Sequence, residues 1–286
     1  MGKGGVGKST TAILLARYFE QQNQSSIIVE CNGAQDIPKY YNEQSLGYAL
    51  QRLSPLVSSI SITAEEAIED YLLQQLHFQK LYQLIFKNRM IEPLLQGAPG
   101  LHNAVHLGKI YDIAGIEQGK KYRFDHIIVD CPATGHGLRL LTAAKTMMNL
   151  AKLGPLYESN RIVEERLQKR ASLLIVTLPE ELPCRETKYL WQNLEEGWKQ
   201  KTKLLVINKT ENTEQLEDLY IPQEQQAHFP EYQRELQQRI EEKKERGLWQ
   251  QWIKKELPLP YLEIPRDDIS SPQLSSRFQS AWRRKS

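Results

Sequence analysis

Apolar residues gather in four short runs: Ser26 to Glu30, His126 to Asp130, Ser172 to Leu178 and Lys203 to Asn208. Each is rich in Ile, Val and Leu and is followed by polar or turn residues, the pattern of strands buried on both faces. Helical spacing lies between them. Thr11 to Gln21 reads as one helix. Ile62 to Met90 reads as another, with Ile68, Leu72 and Leu76 at i, i+4, i+8 and with Thr63 and Glu66 at capping-box spacing. Pro99-Gly100 marks a turn before a further helical stretch. Glu214 to Lys255 is dense in Gln, Glu, Lys and Arg, and reads as exposed helix or as partly disordered chain. Strands alternating with helices predict an α/β fold, a mostly parallel sheet covered by helices on both faces. Residues 1–286 read as one domain, with helical insertions near 55–115 and 210–255.

Composition excludes several classes. The formal net charge of the 286 residues is +2, which gives no reason to expect a nucleic-acid partner. No apolar run approaches the roughly 18 residues of a membrane helix. The three cysteines, Cys31, Cys131 and Cys184, are far apart and form no Cys-x-x-Cys pair, so neither a zinc clip nor a disulfide framework is predicted. No secretory leader pattern stands at the N-terminus, and the chain reads as cytoplasmic.

The chemistry begins at Gly2. Gly2-Lys3-Gly4-Gly5-Val6-Gly7-Lys8-Ser9 satisfies G-x-x-x-x-G-K-[ST] in full. Glycines let backbone N–H groups wrap phosphates, so Gly4, Gly5, Val6, Gly7 and Thr10 are candidate nucleotide-binding residues together with Lys8 and Ser9. Lys8 would reach the β- and γ-phosphates and the Ser9 hydroxyl would ligate Mg²⁺. The helix that follows turns its positive end to the same anion. A strand ending in a carboxylate, Phe124 to Asp130, makes Asp130 a second candidate for the Mg²⁺ shell. ATP and Mg²⁺ are therefore the expected cofactors.

Lys3 places a second lysine inside the loop, and Lys3-Gly4-Gly5-Val6-Gly7-Lys8-Ser9-Thr10 resembles the loop of the ATPases that include septum-site and partition ATPases, arsenite-pump ATPases and tail-anchored protein targeting ATPases. In that family such a lysine often reaches the phosphates of a facing subunit; otherwise Lys3 is a solvated loop charge. Asp130 to Gly137, Asp-Cys-Pro-Ala-Thr-Gly-His-Gly, resembles the second switch of the arsenite-pump and targeting branch, with its proline one place early. Thr177 to Leu182 with Glu186-Thr187 resembles that branch too, as does Pro99-Gly100 through Lys109-Ile110, which fits a bacterial anion-transporting-ATPase-like subgroup. The resemblance implies that Asn208, at the end of Val206-Ile207-Asn208-Lys209, hydrogen-bonds the adenine. It also implies that Pro265, in Ile264-Pro265-Arg266-Asp267-Asp268, lies in the loop covering the base. A homodimer, or a heterodimer with a paralogous ATPase, and an unidentified protein client are implied as partners.

The chain departs from this pattern after Glu30. The first switch of the family carries an Asp that positions the attacking water, and Asn32 stands at that place, with Gly33 for the usual proline. An amide can hold a water but cannot take its proton. Either turnover is slow and the chain serves as a regulatory subunit beside an active paralogue, or Glu30 or Asp36 substitutes. Clustered metal-binding cysteines and a methionine-rich client groove are also missing. Leu274, Phe278 and Trp282 with Arg277, Arg283, Arg284 and Lys285 form a short basic amphipathic tail, read as a packed last helix or as a weak membrane-surface contact. Finally, a phosphate loop follows a strand of about five residues. With Met1 alone ahead of Gly2, that first strand is expected upstream, Met1 being its last residue; the alternative is a genuine short form, with the slot filled by another segment or left open.

Overall fold

The structure, a computed structural model, describes residues 1–31, 35–75, 100–118, 121–210, 230–266 and 277–281. The sequence reads as one domain; the chain gathers in two compact units, Met1 with Lys8–Ala171, and Gly2–Gly7 with Ser172–Ser286.

The first unit is built on β1 (Ser26–Glu30), β2 (Gln51–Arg52), β3 (Val57–Ser61) and β6 (His126–Asp130), in the order β2-β3-β1-β6. β1 pairs in parallel with both β3 and β6, while β2 runs antiparallel to β3. A small hairpin of β4 (Glu117–Gln118) and β5 (Lys121–Tyr122) stands apart from this sheet. Period-two alternation sorts the strand residues. Ile27, Val29 and Cys31 of β1, with Ile127, Val129 and Cys131 at β6, join one cluster with residues of α2 (Ala64–Gln75), α3 (Leu101–Gly115), α4 (Thr134–Ala151) and α5 (Pro155–Arg170). The alternate residues Ile28, Glu30, Ile128 and Asp130 belong to the opposite face. The helix α1 (Lys8–Gln21) packs on β1 and β6 through Ala12, Ile13, Leu15, Ala16 and Phe19. Phe19 stacks on His126 with ring centroids 3.6 Å apart. Ile27 and Ile28 are both fully buried. Burial of each contributes about 1.5–3 kcal/mol, which is why an uninterrupted apolar run suits a sheet covered on both sides.

Residues 57–61, placed by the sequence in a helical insertion near 55–115, are strand. The serines of Val-Ser-Ser-Ile-Ser break the apolar run, yet Ser58, Ser59 and Ser61 are all buried because small side chains fit between strand and helix. One half of the expected capping box forms: Thr63 Oγ1 accepts from the Glu66 N–H at 3.3 Å, and its hydroxyl donates to Glu66 Oε2 at 2.7 Å. The remainder of the helix predicted to Met90 lies outside the described residues. Met1, expected at the end of a strand, is buried and lies in no strand.

The second unit carries β7 (Leu173–Thr177), β8 (Thr202–Thr210) and β9 (Tyr261–Pro265), all parallel in the order β7-β8-β9. α6 (Glu181–Asn193), α7 (Glu196–Lys201) and α8 (Pro230–Glu256) pack around it. α8 accounts for the described part of the polar stretch 214–255. It is 27 residues long and mostly exposed, anchored near its end by Ile253 and the following Leu257. In the C-terminal tail, Phe278 is 2 % exposed. That burial agrees with a packed last helix; Leu274 and Trp282 lie outside the described residues. Among the described residues, no helix is long and apolar enough to cross a membrane.

Candidate functional site

In the first unit, the site grows from the start of α1. Lys8, Ser9 and Thr10 form its first turn, each half-buried. The Ser9 hydroxyl donates to Asp130 Oδ2 at 2.6 Å, across 121 positions of sequence. Asp130 is 3 % exposed at the C-terminal end of β6, and its Oδ1 has no protein partner. A serine hydroxyl beside a buried carboxylate with an oxygen to spare is a hard-oxygen donor pair. It fits Mg²⁺, which takes one or two protein ligands and completes its shell with water and phosphate. No cluster of three or more His, Cys, Asp or Glu suited to a metal occurs among the described residues.

Burial dominates the electrostatics of both charged groups. Burial pushes the Lys8 ammonium down, and the nearby Asp130 only partly offsets this. Burial likewise raises Asp130, against the Ser9 hydrogen bond and the Lys8 charge. Both groups are desolvated more than they are satisfied by each other. Charges brought to such a place interact more strongly than in water.

Glu30 and Asp130 are register partners on β1 and β6. Glu30 is 1 % exposed, and its Oε1 accepts the N–H groups of Asp36 at 2.9 Å and Ile37 at 3.3 Å. Glu30 thus fastens the chain beyond the expected first switch. Asp36 pairs with Lys39 at 2.7 Å on the exposed surface. Both candidate substitute bases therefore carry other bonds. Asn32 itself lies outside the described residues. Thr134, Gly135 and His136 of the expected second switch open α4.

In the second unit, Gly2–Gly7 runs close to two strand ends. A Cβ at Gly2 would lie 2.1 Å from the Val176 carbonyl oxygen. Gly5 and Gly7 have φ of +78° and +95°, a region natural to glycine. Gly4 and Gly5 are exposed and Val6 is buried. Lys3 Nζ lies 3.6 Å from Glu186 Oε1 on α6, both about one-third exposed. Asn208 is 2 % exposed, and its Nδ2 donates to the Val6 carbonyl at 2.9 Å. Pro265 ends β9 and is paired in register with Thr210. Glu186, which meets Lys3, and Arg246, whose Nη2 donates to the Lys209 carbonyl at 2.8 Å, carry no functional signal in the sequence; Arg246 stands in a charged helix without periodic pattern.

Residues 1–167 match the family described as anion-transporting ATPase. The ATPase BagA of Mycobacterium tuberculosis is 30 % identical over 193 residues, covering 65 % of this chain and 57 % of that protein. A putative arsenical pump-driving ATPase of Aquifex aeolicus is 25 % identical over 242 residues, covering 73 % of this chain and 78 % of that protein. An ASNA1 ATPase homologue of Paramecium tetraurelia is 24 % identical over 146 residues, covering 51 % and 43 %. The chain spans 57 % of the length of the mycobacterial relatives it matches. Its matched segment holds the loop from Gly2 to Ser9, α1 and the Asp130 strand. The chain belongs to the anion-transporting ATPase family, with the fold of P-loop NTPases.

Proposed function

We propose that this protein binds ATP with Mg²⁺ through the loop from Gly2 to Thr10 and hydrolyses it to switch the state of a dimer. The observation that carries this reading is the Ser9–Asp130 hydrogen bond, with an unused Asp130 oxygen beside Lys8. Lys8 holds the β- and γ-phosphates, and Ser9 with Asp130 holds the Mg²⁺, which supplies charge neutralisation at the transferred phosphoryl group. Loop N–H groups and the start of α1 orient the chain of phosphates.

Gly7 permits no side chain. Its φ is +95°, and a Cβ would lie 2.0 Å from Asn208 Nδ2, a buried atom held by Val6. Gly7→Ala is expected to weaken ATP binding at least about tenfold, one discarded hydrogen bond or more. Isothermal titration checks this, and wild-type affinity in the variant would mean that the loop conformation is not the binding one.

Lys3 is the residue assigned to act across a dimer. Its contact with Glu186 is exposed and 3.6 Å long. Such an ion pair contributes about 0–1 kcal/mol, so it yields readily to a phosphate. Lys3→Ala is expected to leave ADP binding by the monomer intact and to weaken dimerisation driven by a non-hydrolysable ATP analogue. Light scattering tests this, and equal dimerisation by variant and wild type would contradict the role in trans.

A second reading has its own support. With Asn32 at the place of the usual switch aspartate, and with Glu30 and Asp36 engaged elsewhere, the chain hydrolyses slowly and serves as a regulatory subunit beside an active paralogue. Turnover measured with and without such a partner separates the two readings. The cargo is a protein client of unspecified kind.

A further inference from the structure

The amide of Asn208 is held in one orientation. The Val6 carbonyl can only accept, so the atom facing it at 2.9 Å must be Nδ2. This leaves Asn208 Oδ1 as a buried acceptor without a partner. A lone acceptor of this kind is costly, about 1–3 kcal/mol, unless a ligand donor meets it. An exocyclic amine, such as the one adenine carries, is a matching donor. Guanine presents a carbonyl oxygen at the equivalent ring position, which would repel Oδ1.

The backbone that follows Asn208 departs from regular strand. Lys209 has φ +53°, left-handed and unfavourable for a residue with a Cβ. The ladder between β8 and β9 shifts register between Asn208 and Thr210. Such a bulge re-aims the side chains beside it. One side chain spans this strained point. Arg246, from α8, donates through Nη2 to the Lys209 carbonyl at 2.8 Å and through Nη1 to Glu180 Oε1 at 3.0 Å. Its side chain is 14 % exposed, against 44 % for Glu180. The planar guanidinium fork reaches both acceptors at once, and a lysine would meet only one with the same geometry.

We propose that Arg246 is a positioning residue for base selection: by tying the Lys209 carbonyl to Glu180, it holds Asn208 with Oδ1 presented to the amine of adenine, so the protein prefers ATP to GTP. This rests on the reading that the loop binds the phosphates and that Asn208 meets the base. α8, the least patterned helix of the sequence, thereby contributes to specificity without touching the nucleotide.

The test measures affinities for ATP, GTP and inorganic tripolyphosphate, a probe with no base, in wild type and variants. Wild type is expected to bind ATP at least about tenfold more tightly than GTP. Arg246→Ala is expected to lose about tenfold in ATP affinity, to bring the ATP:GTP ratio near one, and to bind tripolyphosphate as wild type does. Adding Lys209→Gly should restore much of the ratio, because glycine takes the left-handed conformation without a clamp. Glu180→Ala, at a half-exposed position, should lower the ratio in the same direction by a few-fold, and it carries the test if Arg246→Ala does not fold. An unchanged ratio in both single variants would overturn the proposal. So would an equal loss of ATP and tripolyphosphate in Arg246→Ala, or no rescue by Lys209→Gly. Failure of wild type to bind tripolyphosphate would instead overturn the phosphate-loop reading. Tripolyphosphate binding without preference for ATP over GTP would overturn the role of Asn208 at the base.

Discussion

Lys8→Ala is expected to abolish ATP binding at millimolar nucleotide. Lys8 sits half-buried on the first turn of α1, near the Asp130 carboxylate. Burial already disfavours its charge, so the ammonium is held where an anion gains most from it. Truncating one partner of a buried charged pair costs about 2–5 kcal/mol, roughly 30- to 3,000-fold in affinity. The substitution would also leave Asp130, 3 % exposed, with the Ser9 hydroxyl but without its neighbouring cation. Some loss of stability should therefore accompany the loss of binding. Isothermal titration, with a thermal melt to verify that the variant is folded, checks both effects. A folded Lys8→Ala protein with wild-type affinity would mean that the glycine loop is a structural turn.

Asn32→Asp is expected to raise turnover. Both alternative bases offered by the sequence carry other bonds. Glu30 is occupied by the Asp36 and Ile37 N–H groups, and Asp36 by Lys39. Restoring a carboxylate at position 32 supplies a group able to orient a water and accept its proton. General-base assistance is worth about 10²–10⁴-fold, of which a site not adapted to the charge recovers a part. The readout is phosphate release at saturating Mg-ATP. A brisk wild-type rate unaffected by this substitution would show that another group does the work and would remove the ground for the regulatory-subunit reading.

The parts of the site that lie together in sequence were legible in it. The loop from Gly2 to Ser9 is contiguous, and its spacing alone marks it as a candidate phosphate loop. Asp130 was legible because an apolar run of one strand length, His126 to Asp130, ends in a carboxylate, and β6 has those bounds. β1, β7 and β8 emerged from Ile, Val and Leu runs in the same way, within three residues of their observed ends. β3 escaped because three of its five residues are serine, and hydrophobicity cannot report a buried small polar side chain. β9 escaped because Pro265 reads as loop, although a proline closing a strand interrupts no ladder within it. Glu186 and Arg246 escaped for a different reason. Each acts through a partner far away in the chain, Lys3 and Lys209 respectively, and charged residues on exposed helices carry no local sign of such pairing.

The most direct measurement is an isothermal titration of the purified protein with ATP, once in Mg²⁺ and once in excess chelator. With Lys8, Ser9 and Asp130 in the assigned roles, ATP binds at one site per chain, and more tightly with Mg²⁺ than without it. Absence of saturable ATP binding up to millimolar concentration in the presence of Mg²⁺, by a folded protein, would contradict the account.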